Sequence, residues 1–179
     1  MAPRTWMTFE IPDVRALVRR PEREQAQRLL ERIAAQVLPI LSKRRFRVRC
    51  LREFFPKDGQ LLGMNVNRGA TIYIRLRPAS RPTSFFPYEA LLETMLHELT
   101  HMVHGPHNQA FYKYLDELKE EMESLMTRGL VGHEGARFQD AGQAYSIQTE
   151  SRVIAVRREN DNRAAVLAAQ RREKMPLRS

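Results

Sequence analysis

The chain has 179 residues, 42% of them hydrophobic, enough to bury one proper core and so to form a single main domain. Thirty lysines and arginines against 21 aspartates and glutamates give a net charge of +9 and a pI near 10.3, a balance that favours polyanionic partners such as nucleic acid. The lone Cys50 excludes an intramolecular disulfide. No apolar run approaches the roughly 20 residues of a membrane span or the shorter core of a signal peptide, so an intracellular protein without a membrane partner is expected.

Residues 21–44 carry Leu29, Leu30, Ile33, Val37, Leu38 and Leu41 at helical spacing and read as an amphipathic scaffold helix, with Pro39 marking a kink or an early end. Residues 45–50 then alternate. Phe46, Val48 and Cys50 share one face and Arg45, Arg47 and Arg49 the other, the pattern of a half-buried strand whose exposed face is wholly basic. After a turn at residues 56–59, residues 64–67 and 71–77 form a hairpin around Arg68-Gly69. It buries Ile72, Ile74 and Leu76 and shows Tyr73, Arg75 and Arg77 on its other face. If these strands share a sheet, like charges line one side of it, which destabilises the isolated sheet and calls for a counter-charge. A phosphate backbone supplies one, and arginines beside an aromatic ring suit single-stranded or distorted nucleic acid. The competing reading is a solvated strand face that discourages edge-to-edge association.

Residues 77–87, with three prolines, form a loop into a helix expected over residues 87–104. Leu91, Leu92, Met95, Leu96, Leu99, Met102 and Val103 give that helix a broad apolar surface. On it stands His97-Glu98-Leu99-Thr100-His101, followed by His107 in HELTHMVHGPH. Side chains four apart on a helix lie one above the other, so His97 and His101 can offer imidazole nitrogens to one ion. Catalytic zinc takes three protein ligands and keeps a position for water, whose pKa it lowers towards about 7. Gly105-Pro106 ends the helix, through a left-handed glycine and a proline that cannot continue the ladder, and lets His107 swing back as the third ligand. His104 lies on the same stripe but too far along the axis; Glu117 or Glu120 on the next helix would make the alternative His2Glu set. Glu98 cannot share the ligand face easily but can reach the water as general base.

Asn108 caps a helix running to about residue 127, in which Phe111, Leu115, Leu118, Met122 and Leu125 continue the core. Met122 and Met126 read as packing rather than as a methionine turn under the metal. The order of helix, small antiparallel sheet and active-site helices predicts an α+β fold. An edge strand above the active-site helix could pair with an extended substrate, and Ile72, Tyr73 and Ile74, within residues 72–76, are the substrate-binding candidates.

The segment ETMLHELTHMVHGPHNQAFYKYLDEL, and LLGMNVNRGATIYIRLR ahead of it, resemble the active-site segment and preceding hairpin of the WLM family of zinc metallopeptidases, relatives of the Spartan-type DNA-dependent proteases. The similarity covers residues 9–135, so residues 1–135 are expected to form the peptidase domain and 136–179 a basic extension. By this resemblance the fold is zincin-like, with a small antiparallel sheet packed against the HExxH helix. His97, His101 and His107 are Zn2+ ligands and Glu98 the catalytic acid/base. The resemblance implies a DNA-activated endoprotease of proteins crosslinked to DNA, acting in DNA repair in the nucleus. It also makes Arg45, Arg47, Arg49, Tyr73, Arg75 and Arg77 candidate DNA contacts.

Beyond Gly129 the signal fades. Gly129, Gly132 and Gly135 read as a flexible exit, and His133 as an exposed loop residue. Val153-Ile154-Ala155-Val156 has the aliphatic pattern of a short SUMO-interacting strand, although Arg157 and Arg158 stand where acidic residues would help. Residues 160–174 read as an alanine-rich basic helix. Two other classes fit the sequence: a zinc-stabilised DNA-binding module without turnover, and a metallohydrolase of small peptides.

Overall fold

Along helix α1 (Arg23–Arg44) the apolar stripe is buried as its spacing dictates, with Leu30, Ile33, Val37, Ile40 and Leu41 fully enclosed. The structure is a computed structural model and describes residues 9–132. The expected domain boundary at 135, His133, the run 153–156 and the basic stretch 160–174 lie outside the described residues. Pro39 does not end the helix, which continues to Arg44. A proline inside a helix costs about 3 kcal/mol. Every residue from Gln36 to Ser42 is buried, and burying large apolar side chains at about 1.5–3 kcal/mol each offsets that cost. Arg45 closes the helix in the left-handed conformation, its N–H shared between the Leu41 and Ser42 carbonyls.

Four short strands form one mixed sheet in the order β1-β2-β4-β3: β1 (Asp13–Arg15), β2 (Cys50–Glu53), β3 (Gly63–Val66) and β4 (Thr71–Ile74). β1 and β2 pair in parallel because α1 is the crossover between them, and β2 and β4 are parallel too. Only the β3–β4 hairpin is antiparallel, so the fold is α+β as expected but the sheet is not uniformly antiparallel. The helices cover one face. α1 packs under β1 and β2, α2 (Tyr88–Thr100) under β3 and β4, and α3 (Gln109–Thr127) against both helices. Leu51, Ile72 and Ile74 meet Leu91, Met95, Leu99, Phe111 and Leu118 in the core between them.

Three expectations from the alternation pattern need correction. Phe46 and Val48 are buried and Arg45, Arg47 and Arg49 exposed, as alternation requires, but the strand begins only at Cys50. Ahead of it the Arg49 N–H bonds to the Gly69 carbonyl at 2.8 Å, at the hairpin turn rather than in the sheet. Arg75 and Arg77 are not on an exposed face, because β4 stops at Ile74 and everything from Ile74 to Arg77 is buried. The Arg77 Nε donates to Glu53 Oε1 at 2.7 Å in a fully enclosed ion pair, and its Nη1 donates to the Pro82 carbonyl at 3.0 Å. Arg75 holds the preceding loop by donating to the carbonyls of Leu61 (3.0 Å), Pro56 (2.7 Å) and Asp58 (3.0 Å). Finally, β4 lies between β2 and β3, so Ile72, Tyr73 and Ile74 have no free backbone edge. Among the described residues, the edge beside α2 that carries no partner strand is that of β3.

Removing one partner of a buried ion pair leaves the other charge without compensation, at a cost of about 3–5 kcal/mol. Arg77→Leu is therefore expected to lower the urea denaturation midpoint sharply while leaving the nucleic-acid affinity of the folded protein unchanged. A DNA contact at this position would give the opposite pair of results.

Candidate metal centre

α2 carries His97 and His101 one turn apart, and its regular hydrogen bonding stops at Thr100. The chain then tightens: the Met102 N–H bonds to the Leu99 carbonyl at 3.0 Å and the Val103 N–H to that of Thr100 at 3.1 Å. Gly105 is not left-handed, so this tightening, together with Pro106, turns the chain, and the cap expected at Gly105 is absent. His107 faces back as expected. Its Nε2 lies 3.2 Å from that of His97 and 3.0 Å from that of His101, and all three ligand atoms fall within 4.8 Å of one another. Tetrahedral bonds of about 2.0–2.1 Å to imidazole nitrogen put neighbouring ligand atoms about 3.3 Å apart, so the donors fit one divalent ion in both chemistry and spacing. The His101 Nδ1 sits 3.0 Å from the His104 carbonyl, which can only accept, so the tautomer with Nδ1–H fits and leaves the Nε2 lone pair for a metal. His104 itself turns aside to pack on Tyr114, at 5.4 Å between ring centres. Glu117 and Glu120 are exposed and outside the cluster.

The floor of the site is Phe111, which sequence reasoning placed only in the core. It is fully buried, and the rings of His97, His101 and His107 each stand 4.8 Å from its centre. Asn108, the residue after the third histidine, caps α3 by accepting from the Phe111 N–H at 3.0 Å, which fixes that ring relative to the ligand loop. Met122 packs in the core against Gln36, and Met126 is exposed, so neither lies under the imidazoles.

Glu98 is 4% exposed, and burial pushes its carboxyl from 4.5 up to about 7, in the range suited to proton transfer near neutral pH. The strand β3 crosses directly against it. A Cβ at Gly63 would come within 2.5 Å of Glu98 Oε1 and 2.9 Å of Thr94 Cγ2, so a side chain here would push the carboxylate from its place. Two residues on, the Asn65 Nδ2 donates to the Glu98 carbonyl at 2.8 Å. Neither Gly63 nor Asn65 stood out in the sequence as a site residue.

The six candidate nucleic-acid contacts do not form one surface. Arg45, Arg47 and Arg49 are exposed between α1 and β2, Tyr73 stacks on Phe54 at 5.3 Å, and Arg75 and Arg77 are buried. The exposed Arg68 at the hairpin turn joins the first three instead, since Gly69 bonds to Arg49.

An HExxH helix beneath a small sheet, with a third histidine returning from the next turn and a buried glutamate following the first histidine, defines a zincin-like metallopeptidase fold. The protein belongs to the WLM domain family, whose profile matches residues 9–176. The DNA-dependent metalloprotease WSS1 of Saccharomyces cerevisiae is 43% identical over 120 residues, 67% of this chain and 45% of that protein. The DNA-dependent metalloprotease WSS1 homolog 2 of Schizosaccharomyces pombe is 34% identical over 127 residues, covering 67% of this chain and 44% of its own length. The chain thus spans a little under half the length of these relatives. The crystal structure of Wss1 from Saccharomyces cerevisiae superposes with a TM-score of 0.67 at 42% identity, over 69% of this chain and 96% of that one. Wss1 from Schizosaccharomyces pombe gives 0.57 at 33% identity, over 64% and 94%.

Phe111→Leu keeps an apolar core residue but removes the flat surface under the imidazoles. Loss of such support typically weakens metal binding about 10–100-fold. Competition against a chromophoric chelator is expected to show a drop of that size for this variant, and none for Leu115→Met one turn further along α3.

Proposed function

We propose that the protein is a zinc-dependent endoprotease, activated by DNA, that degrades proteins crosslinked to DNA and so serves DNA repair in the nucleus. The observation that carries the reading is the convergence of His97, His101 and His107, with the buried Glu98 next to His97 in the chain. His97, His101 and His107 would hold zinc, which would supply Lewis-acid polarisation and make water a better nucleophile near neutral pH. Glu98 takes the proton of the attacking water and delivers it to the departing amide nitrogen. A structural zinc site would close the ion with a fourth protein ligand, whereas the described residues bring three together, which favours turnover over a zinc-stabilised binding module.

The substrate backbone is read by β3. The Arg75 N–H bonds to the Leu62 carbonyl, and hydrogen-bonded pairs alternate along an antiparallel ladder, so the N–H and C=O groups of Gly63 and Asn65 point to the free edge. An extended peptide pairing there lies over Glu98 and is selected by shape rather than by side chain, as suits proteins of many kinds. An open strand edge favours an endoprotease over a hydrolase of small peptides. The names of the WSS1 relatives support dependence on DNA, and the exposed arginines 45, 47, 49 and 68 offer it a surface. Recognition of SUMO-linked substrates would fall to residues 153–156.

The test is cleavage of a histone-like protein by the zinc-loaded chain with and without single-stranded DNA. Glu98→Gln is expected to keep zinc and DNA affinity and to lose activity by at least about 100-fold; unchanged proteolysis would overturn the assignment. Replacing Arg45, Arg47 and Arg49 together by glutamate is expected to weaken binding of labelled single-stranded DNA and to reduce the salt slope of log K by about 2. Equal anisotropy titrations for parent and variant would remove this surface from the reading.

A further inference from the structure

We propose that Asn65 is a positioning residue that ties the basic hairpin turn to Glu98, so that single-stranded DNA on Arg47, Arg49 and Arg68 acts on the catalytic glutamate through this one side-chain amide. The inference rests on the DNA-dependent reading above and adds the route by which the nucleic acid reaches the site.

The amide of Asn65 is used at both ends. Its Nδ2 donates to the Glu98 main-chain carbonyl at 2.8 Å and lies 3.3 Å from the Met102 Sδ, while its Oδ1 accepts from the Gly69 N–H at 2.8 Å. A carbonyl on one side and an N–H on the other admit only one orientation of the amide. Asn65 therefore spans from the turn of the hairpin to the middle of the ligand pair on α2. Its backbone meanwhile lies on the free edge of β3.

Gly69 is wedged at the far end of this link. Its φ is +97°, and an added Cβ would come within 2.3 Å of the Arg47 carbonyl oxygen and 2.9 Å of the Met102 Cε. Its own carbonyl accepts from the Arg49 N–H at 2.8 Å. The turn and the segment bearing Arg47 and Arg49 thus move together, and both carry exposed arginines. The turn is also costly. Asn67 and Arg68 are left-handed at φ 51° and 48°, which disfavours this conformation by roughly 1–3 kcal/mol per residue in the absence of compensating contacts. Phosphates bridging Arg68 to Arg47 and Arg49 favour the turn as it stands here. A turn so held keeps the Gly69 N–H on Asn65, and Asn65 keeps the Glu98 backbone against β3. In this proposal the turn, held on Asn65 or released from it, is the two-state element that both sites bias.

The experiment uses the full zinc-loaded chain as parent, Asn65→Asp and Asn65→Ser. The aspartate is isosteric but presents an acceptor to the Glu98 carbonyl; the serine is too short to reach both partners. Should the aspartate variant fail to fold, judged by thermal melting, the serine variant carries the test. For each protein the cleavage rate of an unfolded protein is measured with and without single-stranded DNA, beside DNA affinity by anisotropy and zinc affinity by chelator competition. Hydrogen exchange of residues 67–70 and 98–102 is followed with and without DNA. Coupling free energies of this kind usually correspond to about 5–150-fold effects. The parent is expected to be stimulated by DNA by about tenfold or more, and the variants by no more than about twofold, with zinc and DNA affinities within about threefold of the parent. DNA should protect residues 67–70 in every protein but residues 98–102 in the parent alone. A variant that loses the same factor of activity with and without DNA, so that its stimulation ratio equals the parent's, overturns the link and leaves Asn65 a structural residue. A parent that DNA does not stimulate overturns the DNA-dependent reading itself, and the link with it.

Discussion

Three imidazole rings resting on the single buried ring of Phe111 are the contact on which the remainder of the site depends. Imidazoles packed so closely must be held in place by something other than their mutual attraction, and in this fold the support comes from the start of α3 rather than from α2, which carries two of them. The cap at Asn108 secures Phe111 to the loop that delivers His107. The ligand set is therefore a property of two helices and the turn between them.

The sheet contributes what the helices cannot. β3 passes so close to α2 that a Cβ at position 63 would press on the Glu98 carboxylate, and Glu98 is buried. Desolvation raises the carboxyl towards neutrality, and the same strand turns the backbone groups of Gly63 and Asn65 outwards. The burial of Glu98 and the outward backbone groups are thus both set by one strand of four residues. Arg75 steadies the loop that leads into it through three carbonyls, so an arginine that looked like a ligand for phosphate serves the geometry of the strand instead.

The helices and the ligand trio were legible in the sequence because they depend on local rules. Spacing of four places His97 and His101 together, Pro106 announces the end of the helix though the left-handed cap expected at Gly105 is absent, and Asn108 announces the next helix. Non-local facts were hidden. That β4 is an inner strand depends on a parallel pairing with β2, which no window of sequence contains. The burial of Arg77 depends on Glu53, a partner 24 residues away, and alternation was followed past the point where the strand ends. Phe111 lay on the apolar stripe of α3, and nothing in that stripe distinguishes a residue under the metal from any other in the core. The same holds for Gly63 and Asn65, whose roles appear only when β3 is laid across α2.

An edge of this length has a further consequence. Two residues with outward-facing amides offer a handful of hydrogen bonds worth about 1 kcal/mol each, which leaves a free polypeptide with millimolar affinity at best. Were the proposed DNA-dependent reading to hold, a protein fastened to the same DNA strand would be presented at an effective concentration in the millimolar range without any extra contact. Under the proposed reading, the feeble grip of β3 would become a form of selectivity: bystanders would diffuse away before hydrolysis, and shared tethering, rather than recognition of any sequence, would decide what is cut.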